Sequence, residues 1–106
     1  MKIFRLEKED KYAISPHYST AFGETVKGTK VEMGHYKYEK GTGAQSHHHP
    51  EEQIICILSG RIRAKAGDEE FDLGPGDAAW IPPETVHSVT ALEETYFFSF
   101  KDIVPK

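Results

Sequence analysis

Three histidines carry the chemistry this sequence offers. The segment Gly43-Ala44-Gln45-Ser46-His47-His48-His49-Pro50-Glu51-Glu52-Gln53 sets two imidazoles two positions apart. In an extended chain, side chains at i and i+2 share a face, so His47 and His49 converge on one point while His48 faces away. Imidazole nitrogen binds borderline divalent ions at about 2.0–2.1 Å, a reach that two rings on one strand face have in common. Pro50 ends regular pairing, and a turn there lets Gln53 lead the next strand. A third imidazole must come from elsewhere, and His87 is the candidate. It follows Gly76-Asp77-Ala78-Ala79-Trp80-Ile81-Pro82-Pro83-Glu84-Thr85-Val86, which reads as a turn, a strand, a proline-stiffened loop and a strand start. A paired hairpin brings it opposite the first cluster. The histidines lie mid-chain, unlike a terminal tag.

The elements that must position these side chains read as short strands. No segment holds a helical period, and Gly, Pro and Asp signals punctuate the chain throughout. Val31 to Tyr38 is a strand that stops at Lys40-Gly41-Thr42-Gly43. Gln53 to Leu58 is a second and ends at Ser59-Gly60. Arg61 to Ala66 alternates charged with apolar residues, the pattern of a half-buried strand. Gly67-Asp68-Glu69-Glu70 is a hairpin turn, Phe71 to Leu73 resumes the ladder, and Gly74-Pro75-Gly76-Asp77 turns again. Ala78 to Ile81 must end at Pro82-Pro83, because proline donates nothing to a ladder. His87 to Ala91 and Thr95 to Phe100 close the series. Lys2 to Leu6 reads as an edge strand and Ser15 to Lys30 as an irregular arm. Many short strands with regular turn signals predict an all-β sandwich or barrel.

The 106 residues suit one compact domain over 1–106, with 1–30 as its N-terminal strand and arm. Thirteen positive against seventeen negative residues give a formal net charge of −4, which argues against nucleic acid as the main partner. One cysteine, Cys56, excludes an internal disulfide framework. The charged first ten residues lack the apolar stretch of a secretory signal, and the longest apolar run, Ile54 to Leu58, is far too short for a bilayer. A cytoplasmic protein without a membrane partner is the expectation.

The two histidine segments resemble the paired motifs of the cupin superfamily. The first family motif is a glycine, five residues, His-x-His, three residues, an acidic ligand, six residues and a glycine. Here His47-x-His49 is followed by three residues, Gln53, six residues and Gly60, with Gly41 and Gly43 upstream. The second motif is matched by Gly76, Pro82 and His87, with Glu84 where the family has Gly and Ala91 where it has Asn. The resemblance implies a double-stranded β-helix, or jelly roll, with a small-molecule ligand inside and often a homodimer. It implies a divalent ion, Zn, Ni, Fe or Mn, held by His47, His49, Gln53 and His87; N/O donors do not choose among those metals. Gln53 stands where many cupins have Glu and binds through a neutral carbonyl oxygen. The ion then keeps its full charge, which favours an anionic ligand.

Two classes of function follow from that resemblance. The first is a metal-dependent enzyme, an isomerase or lyase, acting on a small polar or anionic substrate. The substrate is sugar-acid-like or keto-acid-like, and the reaction is Lewis-acid assisted proton transfer. Small Gln-bearing cupins that convert unsaturated uronic acids are similar in motif and size. They carry Asp, Phe and Arg near the C-terminus, whereas this chain has no Arg after Arg63 and offers Asp102 as the acid. A metal-dependent dioxygenase is a third reading. The second class is a non-catalytic small-molecule-binding or sensor module, distinguished by the lack of an acid or base near the ion. Glu51 and Glu52 are candidates to orient a ligand, and Tyr36, Tyr38, Trp80, Phe98 and Phe100 to line a pocket or fill the core. His48 reads as exposed, His17 and His35 as surface or core polar residues, and Cys56 as a buried thiol facing away from Gln53.

Overall fold

The computed structural model describes residues 1–6 and 19–104. Nine strands run in order: β1 (Phe22–Lys27), β2 (Val31–Tyr38), β3 (Gly43–His47), β4 (Gln53–Ser59), β5 (Ile62–Ala66), β6 (Glu69–Leu73), β7 (Ala78–Ile81), β8 (His87–Ala91) and β9 (Thr95–Asp102). They form two antiparallel sheets, one ordered β1-β2-β9-β4-β7 and the other β3-β8-β5-β6. This is the all-β jelly roll that the strand pattern and the motifs predict. Among the described residues no helix is long and apolar enough to cross a membrane.

Period-two alternation decides which side chains enter the barrel. In β4, Gln53, Ile55 and Ile57 are buried, while Ile54 and Leu58 are exposed and Cys56 is half-buried. Pairing carries the same parity across the sheet: Gln53 opposes Lys101, Ile55 opposes Ser99 and Ile57 opposes Phe97. In the second sheet Ile62 opposes Ala91 and Ala64 opposes Val89. The inward rows meet in a core whose best-buried apolar members are Ile57, Ile62 and Ala91, each 1% exposed. Burying one such isoleucine contributes about 1.5–3 kcal/mol relative to leaving it in water. Gly43 admits the close approach of β3 to β8, since a Cβ there would collide with the Val89 carbonyl oxygen.

Two expectations at the N-terminus are corrected. Residues 2–6 form no strand. Within the stretch expected to be an irregular arm, residues 22–27 form an edge strand paired along its full length with β2. Its inward positions are Gly23 and Thr25, facing Tyr36 and Gly34, so it shows no apolar alternation. Thr25 instead shares a hydroxyl hydrogen bond with Tyr36. Residues 15–18, including His17, lie outside the described residues. The turn expected at 67–70 is tighter, because Glu69 and Glu70 already pair with Ala66 and Lys65.

Candidate metal centre

His47 ends β3 and His87 begins β8, and the two are register partners across a β-bulge in β3. A bulge re-aims the side chain beside it. His49 lies two residues beyond the end of β3, and its ring converges with that of His47 while His48 stays exposed. Ring centroids are 4.3 Å apart for His47 and His87, 4.9 Å for His49 and His87, and 5.5 Å for His47 and His49. One nitrogen from each ring lies within 4.8 Å of the others.

Each ring is held by its outer nitrogen. His47 Nδ1 lies 2.6 Å from the Gln45 carbonyl, His49 Nδ1 2.9 Å from that of Glu51, and His87 Nδ1 2.8 Å from that of Thr85. A carbonyl only accepts, so each neutral ring carries its proton on Nδ1 and brings an Nε2 lone pair to the common point. This is the outer bond that fixes metal-ligating histidines in one orientation. The Glu51 carboxylate stands 3.5 Å from His49 Nδ1 and adds to that support. Glu52 turns outward and accepts from Trp80 Nε1 at 3.0 Å.

Gln53 completes the donor set. It is 8% exposed, its Nε2 donates to Ser99 Oγ at 2.8 Å, and its Oε1 lies 3.2 Å from His49 Nε2. With the His49 proton on Nδ1, that 3.2 Å separates two lone-pair atoms, an arrangement that calls for a cation between them. Two donors bound at about 2.1 Å in tetrahedral or octahedral geometry stand roughly 3.0–3.4 Å apart. The residues therefore fit a divalent ion.

Burial favours the neutral form of two of the rings, His87 and His47. Burial pushes the His87 pKa down to about 4, with the nearby His47, His49 and Lys101 adding to the effect and the Thr85 carbonyl opposing it. Burial likewise lowers His47, opposed by the Gln45 carbonyl and assisted by His49, Lys101 and His48. Imidazole binds metal only when neutral, so this environment prepares the site near pH 7.

The loop after β7 closes over the cluster. Glu84 stands at φ 59°, a left-handed conformation that favours glycine, at the position where the second motif has Gly. Its N–H donates to the His49 carbonyl at 2.8 Å and its carboxylate lies 3.1 Å from His48 Nδ1. His48 is exposed, as its alternation predicts.

Two site residues were not singled out in the sequence. Ser99 and Lys101 line the same cavity as His47, Gln53, His87 and Tyr36. The available signal was parity: inward positions of β9 run Thr95, Phe97, Ser99, Lys101, turning polar where they reach Gln53. Of the aromatics weighed as pocket-lining, Tyr36 and Tyr38 do line this cavity. Phe98 and Phe100 face outward with Ile54 and Cys56, and His35 packs its ring 5.4 Å from Phe98.

Comparisons with known proteins show the family and the fold. A family model described as a cupin domain matches residues 34–99. An uncharacterized protein of Methanocaldococcus jannaschii is 33% identical over 64 residues, covering 59% of this chain and 51% of that protein. The chain thus spans about half the length of that relative. Among solved structures, KdgF from Halomonas sp. is similar at TM-score 0.72 and 25% identity, covering 77% of this chain and 79% of that one. A cupin 2 conserved barrel domain protein from Salinispora arenicola reaches TM-score 0.79 at 17% identity, with 95% and 87% covered, a likeness of fold.

Proposed function

Because this chain belongs to the cupin family, we propose that His47, His49, Gln53 and His87 hold one divalent transition-metal ion in a site that acts on a small anionic substrate. The observation that carries the reading is the convergence of three Nδ1-anchored imidazoles with the Gln53 carbonyl oxygen. A bound ion supplies a Lewis acid that polarises a carboxylate or carbonyl oxygen. The donors are neutral, so they leave its charge to attract an anion. Lys101 adds a cation to the same cavity. A cation there favours a substrate bearing an acid group.

Groups able to hold or move a proton share that cavity. Tyr36, Tyr38 and Lys101 line it together with His47 and His87. Their presence favours an enzyme of proton transfer, an isomerase or lyase, over a module that only binds. The test starts from untagged protein, with metal content measured directly. The protein is then incubated in heavy water with 2-keto acids and sugar acids, and deuterium entry beside the carbonyl is followed by NMR. One equivalent of ion is expected, with exchange that is lost on chelation. Metal-free protein as isolated, or equal exchange after chelation, rejects the proposal; a ligand bound and returned unexchanged assigns a binding module.

The reading includes a homodimer formed through the outer face of the five-stranded sheet. Ile54, Leu58, Trp80 and Phe100 are all exposed there. The other sheet presents Arg63, Lys65, Glu70 and Asp72 to solvent, the ordinary outer face of an antiparallel sheet. Five strands about 4.8 Å apart and roughly 25 Å long give a face of about 500–600 Å², before side-chain relief is counted. That is of the order each partner contributes to a stable dimer.

A further inference from the structure

The barrel interior is filled unevenly. Beside His47, Gln53, Ser99 and Lys101 the cavity measures about 40 Å³, while one water occupies about 30 Å³ of liquid. That space takes an ion and a water; the body of a substrate must go elsewhere. On the other side of His87 a second cavity of about 390 Å³ opens between β6 and β7. Ile55, His87 and Val89 line both, so the two are parts of one interior.

The larger chamber has a cause in the sequence. Register turns Ala66 inward beside His87, Ala64 beside Val89 and Ala79 beside Ile55. Small barrels fill such positions with side chains, and β-branched residues suit strands better than alanine. Ile62, next on the inward row of β5, is 1% exposed, whereas Ala64 and Ala66 are only half-buried. Phe71, the cross-strand partner of Ala64, is 58% exposed. Apolar walls facing open space cost stability unless a ligand covers them.

We infer, on the basis of the metal reading above, that the ligand is a carboxylate or 2-keto acid with an aryl or branched-alkyl tail. Its acid end faces His87 and Lys101, and its tail fills the chamber walled by Ile55, Ala64, Ala66, Phe71 and Ala79. A 150 Å³ apolar cavity suffices for benzene, so 390 Å³ suits a ring and a short linker. A sugar acid fits these walls less well. Among the other polar lining residues, Lys65 and Ser88 stand at outward positions and Glu69 at an inward one, so the walls offer few partners, and hydroxyls buried without partners lose affinity.

The experiment uses zinc-loaded protein and two probes, acetate and 3-phenylpropionate, titrated by calorimetry. Burying the ring should make 3-phenylpropionate bind about tenfold tighter or better. Ala64→Leu and Ala79→Leu each fill the chamber and should bring 3-phenylpropionate down to the affinity of acetate, leaving acetate binding and zinc content unchanged. Equal affinities of the two probes in the unmodified protein overturn the inference, whether or not the variants fold. Unaltered 3-phenylpropionate binding in the folded leucine variants also overturns it. Benzyl alcohol, which carries no acid group, probes the chamber separately and should bind even chelated protein in the same titration. No binding refutes the chamber, whatever the zinc content. Binding by a protein that takes up no zinc refutes the ion instead, and with it the acid half of the assignment.

Discussion

Ser99→Ala should weaken metal binding although Ser99 is not among the proposed ligands. The Ser99 hydroxyl accepts from Gln53 Nε2 at 2.8 Å, and the two residues are 4% and 8% exposed. That bond holds the amide with Oε1 toward His49 Nε2, 3.2 Å away. Without the hydroxyl, a buried NH₂ loses its partner, which costs about 1–3 kcal/mol. Rotating the amide relieves the cost by turning NH₂ toward the imidazoles, and the carbonyl ligand is then lost. By either route zinc affinity should fall about 10–100-fold, the range seen when outer partners of metal ligands are removed. Competition against a chromophoric chelator reads the affinity. Ser99→Thr, which keeps the hydroxyl, should restore it. Gln53→Glu should keep zinc bound but weaken a carboxylate ligand, because the added negative charge offsets one unit of the ion's. Wild-type zinc affinity in Ser99→Ala would refute the role given to the amide oxygen, and tighter carboxylate binding in Gln53→Glu would refute the charge argument.

Other outcomes follow from the same geometry. His87 has its pKa lowered from 6.5 to about 4 in the fold. The unfolded chain therefore takes up that proton first as pH falls. The penalty is absent above pH 6.5, grows below it, and reaches at most about 3 kcal/mol near pH 4. Urea unfolding of chelated protein should show this loss between pH 7 and 4.5, and a flat profile contradicts it. Glu84→Gly should leave stability unchanged or raise it by about 1 kcal/mol. It relieves the left-handed conformation and gives up only an exposed pair with His48; a clear drop in Tm counts against strain at that position. Ile54→Lys, on the exposed face of β4, should convert a dimer to a monomer in sedimentation, with zinc binding intact. A wild-type chain that sediments as a monomer contradicts the interface.

What was legible in the sequence was local. The bounds of β2, β7 and β8 follow from their flanking turn residues and prolines, and His87 falls in place because Gly76 and Pro82 fix the hairpin before it. β1 was not legible because an edge strand facing Tyr36 through Gly23 and Thr25 needs no apolar alternation. The bulge between Ala44 and His47 was hidden because a bulge depends on the partner strand as much as on its own residues. Lys101 and Ser99 were missed for a related reason. Their place in the site comes from pairing between β9 and β4, some forty-five residues apart, and a one-residue slip would turn both outward. Glu84 is the reverse case. The sequence shows only a missing glycine, while the chain keeps the glycine-like conformation with another side chain.

A crystal structure of the nickel-loaded protein, with the ion located by its anomalous scattering, tests the central claim most directly. The account predicts one strong peak about 2.0–2.1 Å from the Nε2 atoms of His47, His49 and His87, with Gln53 Oε1 completing the protein ligands. A peak elsewhere, or His87 left unbound beside an ion on the other two rings, would contradict it.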